Sequence, residues 1–243
     1  CLCLLHPRHC RWAAAGTNWV SGIWCVIPIK DLENAKTRLA SALTPEDRRG
    51  LFRAMAEDVL EAASGAPSLA GVLVLTNDPV AFALAERYGA RVEGEPENIG
   101  QSEAVQRAAE VLAAEGADGV LTLPADAPLI KAADIESILA RHPSSRPAMT
   151  IVPDHARRGS NCLVLTPGPL IPLHFGHVSF EPHLAEAAKL GLTPNILDDL
   201  PRVELDVDTP EDLAAALATG AECRARAVGD APGIAAKLPK GQN

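Results

Sequence analysis

Apolar residues along this chain come in short closed runs, separated by longer stretches in which they recur every three or four positions. Ile23-Trp24-Cys25-Val26-Ile27-Pro28-Ile29 is the first such run and reads as a buried strand. Gly71–Thr76, Ala90–Val92, Gly119–Pro124, Ala148–Val152, Asn161–Leu165 and Leu205–Asp208 repeat that signature. Between them lie helical stretches. Thr44-Pro45-Glu46-Asp47 opens one with a capping residue, a proline suited to the first helical position, and two acids that complement the dipole. Leu51, Met55, Val59 and Ala62 form its apolar stripe. The same opening recurs at Thr209-Pro210-Glu211-Asp212. Further helices are expected over 80–88, 102–114, 132–141 and 181–190. Alternation of strand and helix predicts an α/β domain with a mostly parallel sheet flanked by helices on both faces. The stretch 148–180 breaks the alternation and predicts an added strand pair.

The ends depart from this pattern. Residues 1–20 hold no Met and no clear period, and His6-Pro7-Arg8-His9 interrupts their apolar residues too early for a signal-peptide core. They are expected to be a non-native or disordered extension, with the native start near Val20 or Ser21. Residues 21–225 are expected to form one domain, and 226–243 a disordered tail.

Composition narrows the function. With 47% hydrophobic residues and only 3% aromatics, the core must rest on Ala, Leu, Val and Ile. A formal net charge of -9 argues against nucleic acid as the main partner. No apolar run approaches the roughly 18 residues that span a bilayer. Cys25 and Cys162 sit in apolar runs and read as buried thiols in a reducing compartment, so a cytoplasmic location is expected.

In open α/β sheets, ligands bind beyond the carboxyl ends of the strands, and three polar clusters fall there. The first holds Lys30, Lys36, Thr37 and Arg38: a solvated basic loop, or cations suited to a triphosphate, although the glycines of a Walker loop are missing. The second is Asp126, flanked by Pro124 and Pro128: a turn former or a magnesium ligand. The third is Asp206-Val207-Asp208. In a strand these two carboxylates share a face, which is costly unless a cation sits between them. Asp206 is the favoured ligand; Asp208 either caps the next helix or supports the site. A fourth segment pairs Arg157-Arg158-Gly159-Ser160-Asn161 with His174-Phe175-Gly176-His177-Val178-Ser179-Phe180, two loops whose hydroxyls and backbone N–H groups can hold a carboxylate and a phosphate. The histidines there lack the partners and spacing of a zinc site.

Together these pieces carry a resemblance. Ile27-Pro28-Ile29-Lys30, Ala35-Lys36-Thr37-Arg38-Leu39, Leu123-Pro124-Ala125-Asp126-Ala127-Pro128-Leu129, Gly159-Ser160-Asn161, Phe175-Gly176-His177-Val178-Ser179-Phe180 and Leu205-Asp206-Val207-Asp208-Thr209-Pro210 occur in the order found in the 2-phospho-L-lactate, phosphoenolpyruvate and 3-phospho-D-glycerate guanylyltransferases of coenzyme F-420 biosynthesis. The resemblance implies a MobA-like nucleotidyltransferase (nucleotide-diphospho-sugar transferase) fold. It also implies that the phosphate of a small acid attacks GTP, releasing pyrophosphate. Carried over by position, Asp126 and Asp206 hold Mg2+; Lys30, Lys36 and Arg38 face the triphosphate; Ser160, Gly176 and Ser179 bind the acceptor acid. A downstream deazaflavin transferase as recipient of the product, and a monomeric or homodimeric state, follow from the same resemblance. The chain departs from the family at Arg157-Arg158-Gly159-Ser160, where Gly-Thr-Gly-Thr is usual, at His177, where Pro is usual, and at Gly100-Gln101-Ser102 in place of Gly-Leu-Asn. The alternatives are a sugar-nucleotide-using transferase of the same fold and a non-catalytic nucleotide-binding domain.

Overall fold

The computed structural model describes residues 21–32, 35–94 and 100–239. β1 (Ile23–Pro28) leads through a short 3-10 helix (Thr37–Ser41) into α1 (Pro45–Ser64), β2 (Leu69–Leu75), α2 (Pro79–Arg87) and β3 (Arg91–Glu93). α3 (Gly100–Ala114) and β4 (Gly119–Thr122) follow, then α4 (Ala132–Arg141), β5 (Ala148–Pro153) and β6 (Ser160–Thr166). α5 (Phe180–Lys189), β7 (Asn195–Ile196), α6 (Pro201–Glu204), α7 (Pro210–Ala218), α8 (Arg224–Gly229) and α9 (Pro232–Ala235) complete the domain. Both expected capping boxes form: Thr44 accepts from the Asp47 N–H and Thr209 from the Asp212 N–H, each at 3.2 Å.

The strands form one seven-stranded sheet in the order β3-β2-β1-β4-β6-β5-β7. β6 pairs antiparallel with β4 and β5, and every other pairing is parallel. Strand side chains alternate between two cores. Cys25, Ile27, Val72, Val74, Leu121 and Val164 pack under α1, α2, α4 and α7, whereas Val26, Leu73, Val120, Ile151 and Leu165 pack against α3 and α5. At the reversed strand the backbones approach closely: a Cβ at Gly119 would collide with the Leu165 carbonyl oxygen, so β4 requires glycine there. The reversal has a consequence for function. β6 presents its first residues, not its last, at the edge where the parallel strands end.

Two expectations fail. Leu205–Asp208 is not a strand of the sheet; it is an extended link between α6 and α7, held to the loop after β4 by the Val207 N–H donating to the Asp126 carbonyl at 2.9 Å. Its apolar pattern comes from Val207, buried in the core like a strand residue. Nor is the tail disordered where it is described. α8 and α9 pack back onto the domain, with Ala225 and Ile234 buried in the main core. Asp58 of α1, itself buried, fixes this return by accepting from the Arg224 and Ala225 N–H groups at 2.9 and 3.1 Å, which satisfies the free donors at the start of α8. A tertiary cap of this kind leaves no mark on the sequence near α8. Residues 1–20, predicted as an extension, and 240–243 lie outside the described residues. Among the described residues no helix is long and apolar enough to cross a membrane.

The Asp58 cap gives a stability prediction. Asp58→Ala leaves the Arg224 and Ala225 N–H groups without their acceptor and removes one of the carboxylates that hold the Arg224 guanidinium, which keeps Glu61. It should lower unfolding free energy by about 2–4 kcal/mol in a urea titration. A change below about 0.5 kcal/mol would mean that the tail is not part of the cooperative unit.

Candidate active site

A cleft of about 710 Å³ opens along the carboxyl ends of β1, β4 and β5 and the amino end of β6. Its floor includes Pro28, Thr122 and Pro124, and its walls come from the loops that the sequence singled out.

The loop after β1 is pinned where it starts. Asp78 caps α2 with one oxygen, and with the other accepts from the Leu32 N–H at 2.9 Å. The loop then turns at Lys36, whose φ of 56° and ψ of 42° place a non-glycine residue in the left-handed region. This turn sends the Lys36 side chain inward. Its Nζ donates to Asp126, and to Asp208 at 2.6 Å. Burial works against the ammonium charge, but the two carboxylates outweigh it and hold the Lys36 pKa above its usual value. Two residues on, the exposed Arg38 lies 3.5 Å from Asp208 and reaches across the cleft to the His177 ring. Lys30, next to the buried Ile29, is exposed and does not line the described cleft.

Three carboxylates converge here. Asp126 stands in the loop after β4 and is held to Lys36 through Oδ2; its Oδ1 is buried with no hydrogen-bond partner. Asp206 accepts from the Asn161 side-chain amide at 3.1 Å, and that amide also donates to the Val203 carbonyl at 3.0 Å. Burial first, then the charge of Asp126, raises the Asp206 pKa to about 6, against the pull of the Asn161 hydrogen bond. Asp208 behaves oppositely. Burial would raise its pKa, but Lys36 and Arg38 pull it below the usual carboxylate value. Asp208 is therefore not the cap of α7, a role that Thr209 fills; it is the counter-ion of the loop cations.

These groups fit a hard divalent cation. Asp126 keeps an unpartnered oxygen in a buried position, and Asp206 carries a charge that its surroundings penalise. Among the described residues no three or more His, Cys, Asp or Glu side chains form a ready-made metal set. Mg2+ requires less, because one or two carboxylates suffice when phosphate oxygens complete its shell.

Opposite the carboxylates lies the hydroxyl wall. The Ser179 hydroxyl accepts from the Ser160 N–H at 2.8 Å, which ties the start of β6 to the start of α5. Gly176 lies between them in the cleft wall at a φ of 149°, a conformation that side-chain-bearing residues rarely adopt. The two added arginines have separate fates. Arg157 pairs with Asp198 at 2.7 Å and stacks over the Phe180 ring, whereas Arg158 lines the cleft and its guanidinium has no partner among the described residues. The three histidines also go to different partners: His174 to Glu186, His177 to Arg38 and His183 to Ser160. The structure thus brings together Lys36, Arg38, Asp126, Asp206, Ser160, Gly176 and Ser179. The sequence undervalued Asp208, Asn161 and His183. Asn161 could have been suspected from its place beside Ser160, but no local signal marks His183 as a partner of β6.

Comparison with known proteins agrees with this geometry. Residues 23–239 match the family model described as "Guanylyl transferase CofC like". The phosphoenolpyruvate guanylyltransferase of Rubrobacter xylanophilus is 40% identical over 201 residues, covering 82% of this chain and 95% of that protein. The 2-phospho-L-lactate guanylyltransferase of Methanothermobacter thermautotrophicus is 34% identical over 201 residues, 83% of this chain and 86% of that protein. A cytidylyltransferase structure from Leptospira borgpetersenii superimposes with a TM-score of 0.55 at 14% identity, covering 92% and 98% of the two chains, which supports the nucleotidyltransferase fold.

The strained carboxylate gives a prediction with a definite sign. The folded-state pKa of Asp206 lies above its unfolded value, so protonation favours folding. Its stabilising effect is complete below the unfolded pKa and is lost as pH rises through about 6. In the absence of metal and nucleotide, Asp206→Asn should therefore raise Tm by about 3–6 °C at a pH of about 7.5, and change it little near a pH of about 4. An unchanged or lower Tm at the higher pH would show that the carboxylate is not held against its solvation.

Proposed function

The chain belongs to the CofC-like guanylyl transferase family, and from that premise we propose that it transfers GMP from GTP to the phosphate of a small phosphorylated acid. The observation that carries the reading is the opposition of two walls across one cleft. Asp126, Asp206 and Asp208 with Lys36 stand on one side, and the two-serine loops with Arg158 on the other.

In the proposed reaction an oxygen of the acceptor phosphate attacks the α-phosphorus of GTP. A new P–O bond forms as the bond from the α-phosphorus to the bridging oxygen breaks, and pyrophosphate leaves with that electron pair. The acceptor phosphate is already an anion at neutral pH, so no side chain has to remove a proton. Catalysis then rests on position and charge. Asp126 and Asp206 would hold Mg2+, which supplies charge neutralisation on the phosphate oxygens. Lys36 and Arg38 lie close enough to the carboxylates to meet the triphosphate as it arrives. Ser160, Ser179 and the backbone at Gly176 receive the acid, and Arg158 supplies a free cation for its carboxylate.

Phosphoenolpyruvate is the acceptor we favour, because the relatives at 40% and 39% identity are both phosphoenolpyruvate guanylyltransferases. 2-Phospho-L-lactate and 3-phospho-D-glycerate are the competitors. The reading carries with it a cytoplasmic enzyme, monomeric or homodimeric, whose product passes to a deazaflavin transferase in coenzyme F-420 biosynthesis.

The test is pyrophosphate release from GTP with each acid in the presence of Mg2+, with the downstream transferase as a trap for a labile product. Turnover with an acid supports the reading, and release of a nucleoside diphosphate instead would favour glycosyl transfer. Asp126→Asn should reduce kcat by about 100-fold or more while the fold is retained. Arg158→Ala should raise the acceptor KM by about 10-fold and leave the GTP KM unchanged. An unaltered acceptor KM would remove Arg158 from the acid site.

A further inference from the structure

His183 is fully buried on α5, yet both of its ring nitrogens are engaged. The His174 backbone N–H donates to Nε2 at 2.9 Å. A backbone amide can only donate, so Nε2 must be unprotonated and the ring proton must sit on Nδ1. Nδ1 lies 2.9 Å from the Ser160 hydroxyl, so here the histidine is the donor and Ser160 Oγ the acceptor. The ring is wedged edge-on against Phe175, with centroids 5.4 Å apart, which fixes its plane. Burial, with a smaller contribution from His174, lowers its pKa to about 4, so the neutral form persists at working pH.

The hydroxyl wall follows the same pattern. Ser179 Oγ accepts from the Ser160 N–H. Each serine oxygen therefore receives a hydrogen bond from the protein, and no described residue takes the proton of either hydroxyl. Both residues line the cleft. A wall of hydroxyl protons suits a group with only acceptors, a phosphate or a carboxylate, and is unsuited to an ammonium.

We propose that His183 is the positioning residue of the acceptor side: by donating from Nδ1 to Ser160, it reserves the Ser160 hydroxyl proton for the anionic acid. The same ring joins the start of β6 to the 174–176 loop, so it sets the distance between the two acceptor loops as well as their polarity. This inference deepens the guanylyl-transfer reading and rests on it, but the tautomer can be tested without turnover.

The experiment has two arms on the full chain. Long-range nitrogen–proton NMR spectra of the ligand-free protein should show His183 protonated at Nδ1 and bare at Nε2; the opposite tautomer, or rapid exchange between the two, overturns the proposal. In steady-state kinetics with the best acid, His183→Leu should raise the acceptor KM by about 10-fold and leave the GTP KM within about 2-fold, because the two hydrogen bonds it loses, to Ser160 and from the His174 N–H, both lie in the two-serine loops. His183→Asn, which keeps an amide donor near the Nδ1 position, should restore the acceptor KM to within about 3-fold. Ser160→Ala and Ser160→Ala/His183→Leu should give the same acceptor KM, as expected when one residue acts through the other. A parallel rise in both KM values, or no rescue by Asn, overturns the positioning role. Should His183→Leu fail to fold, the Asn variant, Ser160→Ala and the tautomer carry the test. Wild-type protein that turns over none of the acids while showing the Nδ1–H tautomer would defeat the guanylyl-transfer reading and leave the hydrogen-bond assignment intact.

Discussion

Three carboxylates share the edge of one sheet, and the charge they accumulate is the constraint around which the site is organised. Asp126 stands in the loop after β4, and Asp206 and Asp208 share the link between α6 and α7. Brought together in a partly dehydrated cleft, they are costly to charge: burial first, and the neighbouring charge of Asp126 second, raise the Asp206 pKa. The protein answers with Lys36, turned inward by a left-handed backbone and bonded to Asp126 and Asp208. That compensation is incomplete: Asp126 Oδ1 remains buried without a partner. A buried acceptor left without a partner costs stability, and such costs concentrate where rigid elements support a functional site.

The sheet makes the second wall available by a topological device. Parallel strands deliver their carboxyl ends to one edge, which brings Pro28, Thr122 and Asp154 to the cleft. β6 runs the other way, so its opening residues Ser160 and Asn161 arrive at the same edge. One reversed strand thus contributes to both walls. Ser160 faces the acceptor side, while Asn161 holds Asp206. Ser160 and Asn161 are consecutive residues, so the serine loops and the Asp206 carboxylate hang on one stretch of backbone.

The departures from the family pattern fall on the acceptor side. Arg157 is taken up by Asp198 and Phe180, and so strengthens the outer face of the loop. Arg158 remains free at the cleft. His177 meets Arg38, an additional polar contact between the loop after β1 and the loop before α5. These changes leave the carboxylates and Lys36 untouched, which is consistent with a shared transfer chemistry and a locally adjusted acid pocket.

Much of this was legible in the residues alone. Closed apolar runs marked β1 to β6, because a strand buried on both faces must be apolar throughout, whereas the run at Leu205–Asp208 proved to be a link and the two-residue β7 carried no such run. The two Thr-Pro-acid-Asp openings fixed helix starts, because capping is a local transaction among four consecutive residues. The positions of Asp126, Asp206, Ser160 and Ser179 near strand or helix ends were likewise readable from the order of elements. What only the tertiary structure decided are contacts between residues far apart in the chain. Asp208 chooses Lys36 over the helix it precedes, Asp58 caps a helix more than a hundred residues away, and His183 of α5 bonds Ser160 at the start of β6. Lys30 and Lys36 look alike in sequence, yet one points to solvent and the other into the carboxylates. Residue type and local period dictate which backbone conformation forms; which polar partner a buried side chain finds depends on how the finished elements pack, and neighbouring residues do not encode that information.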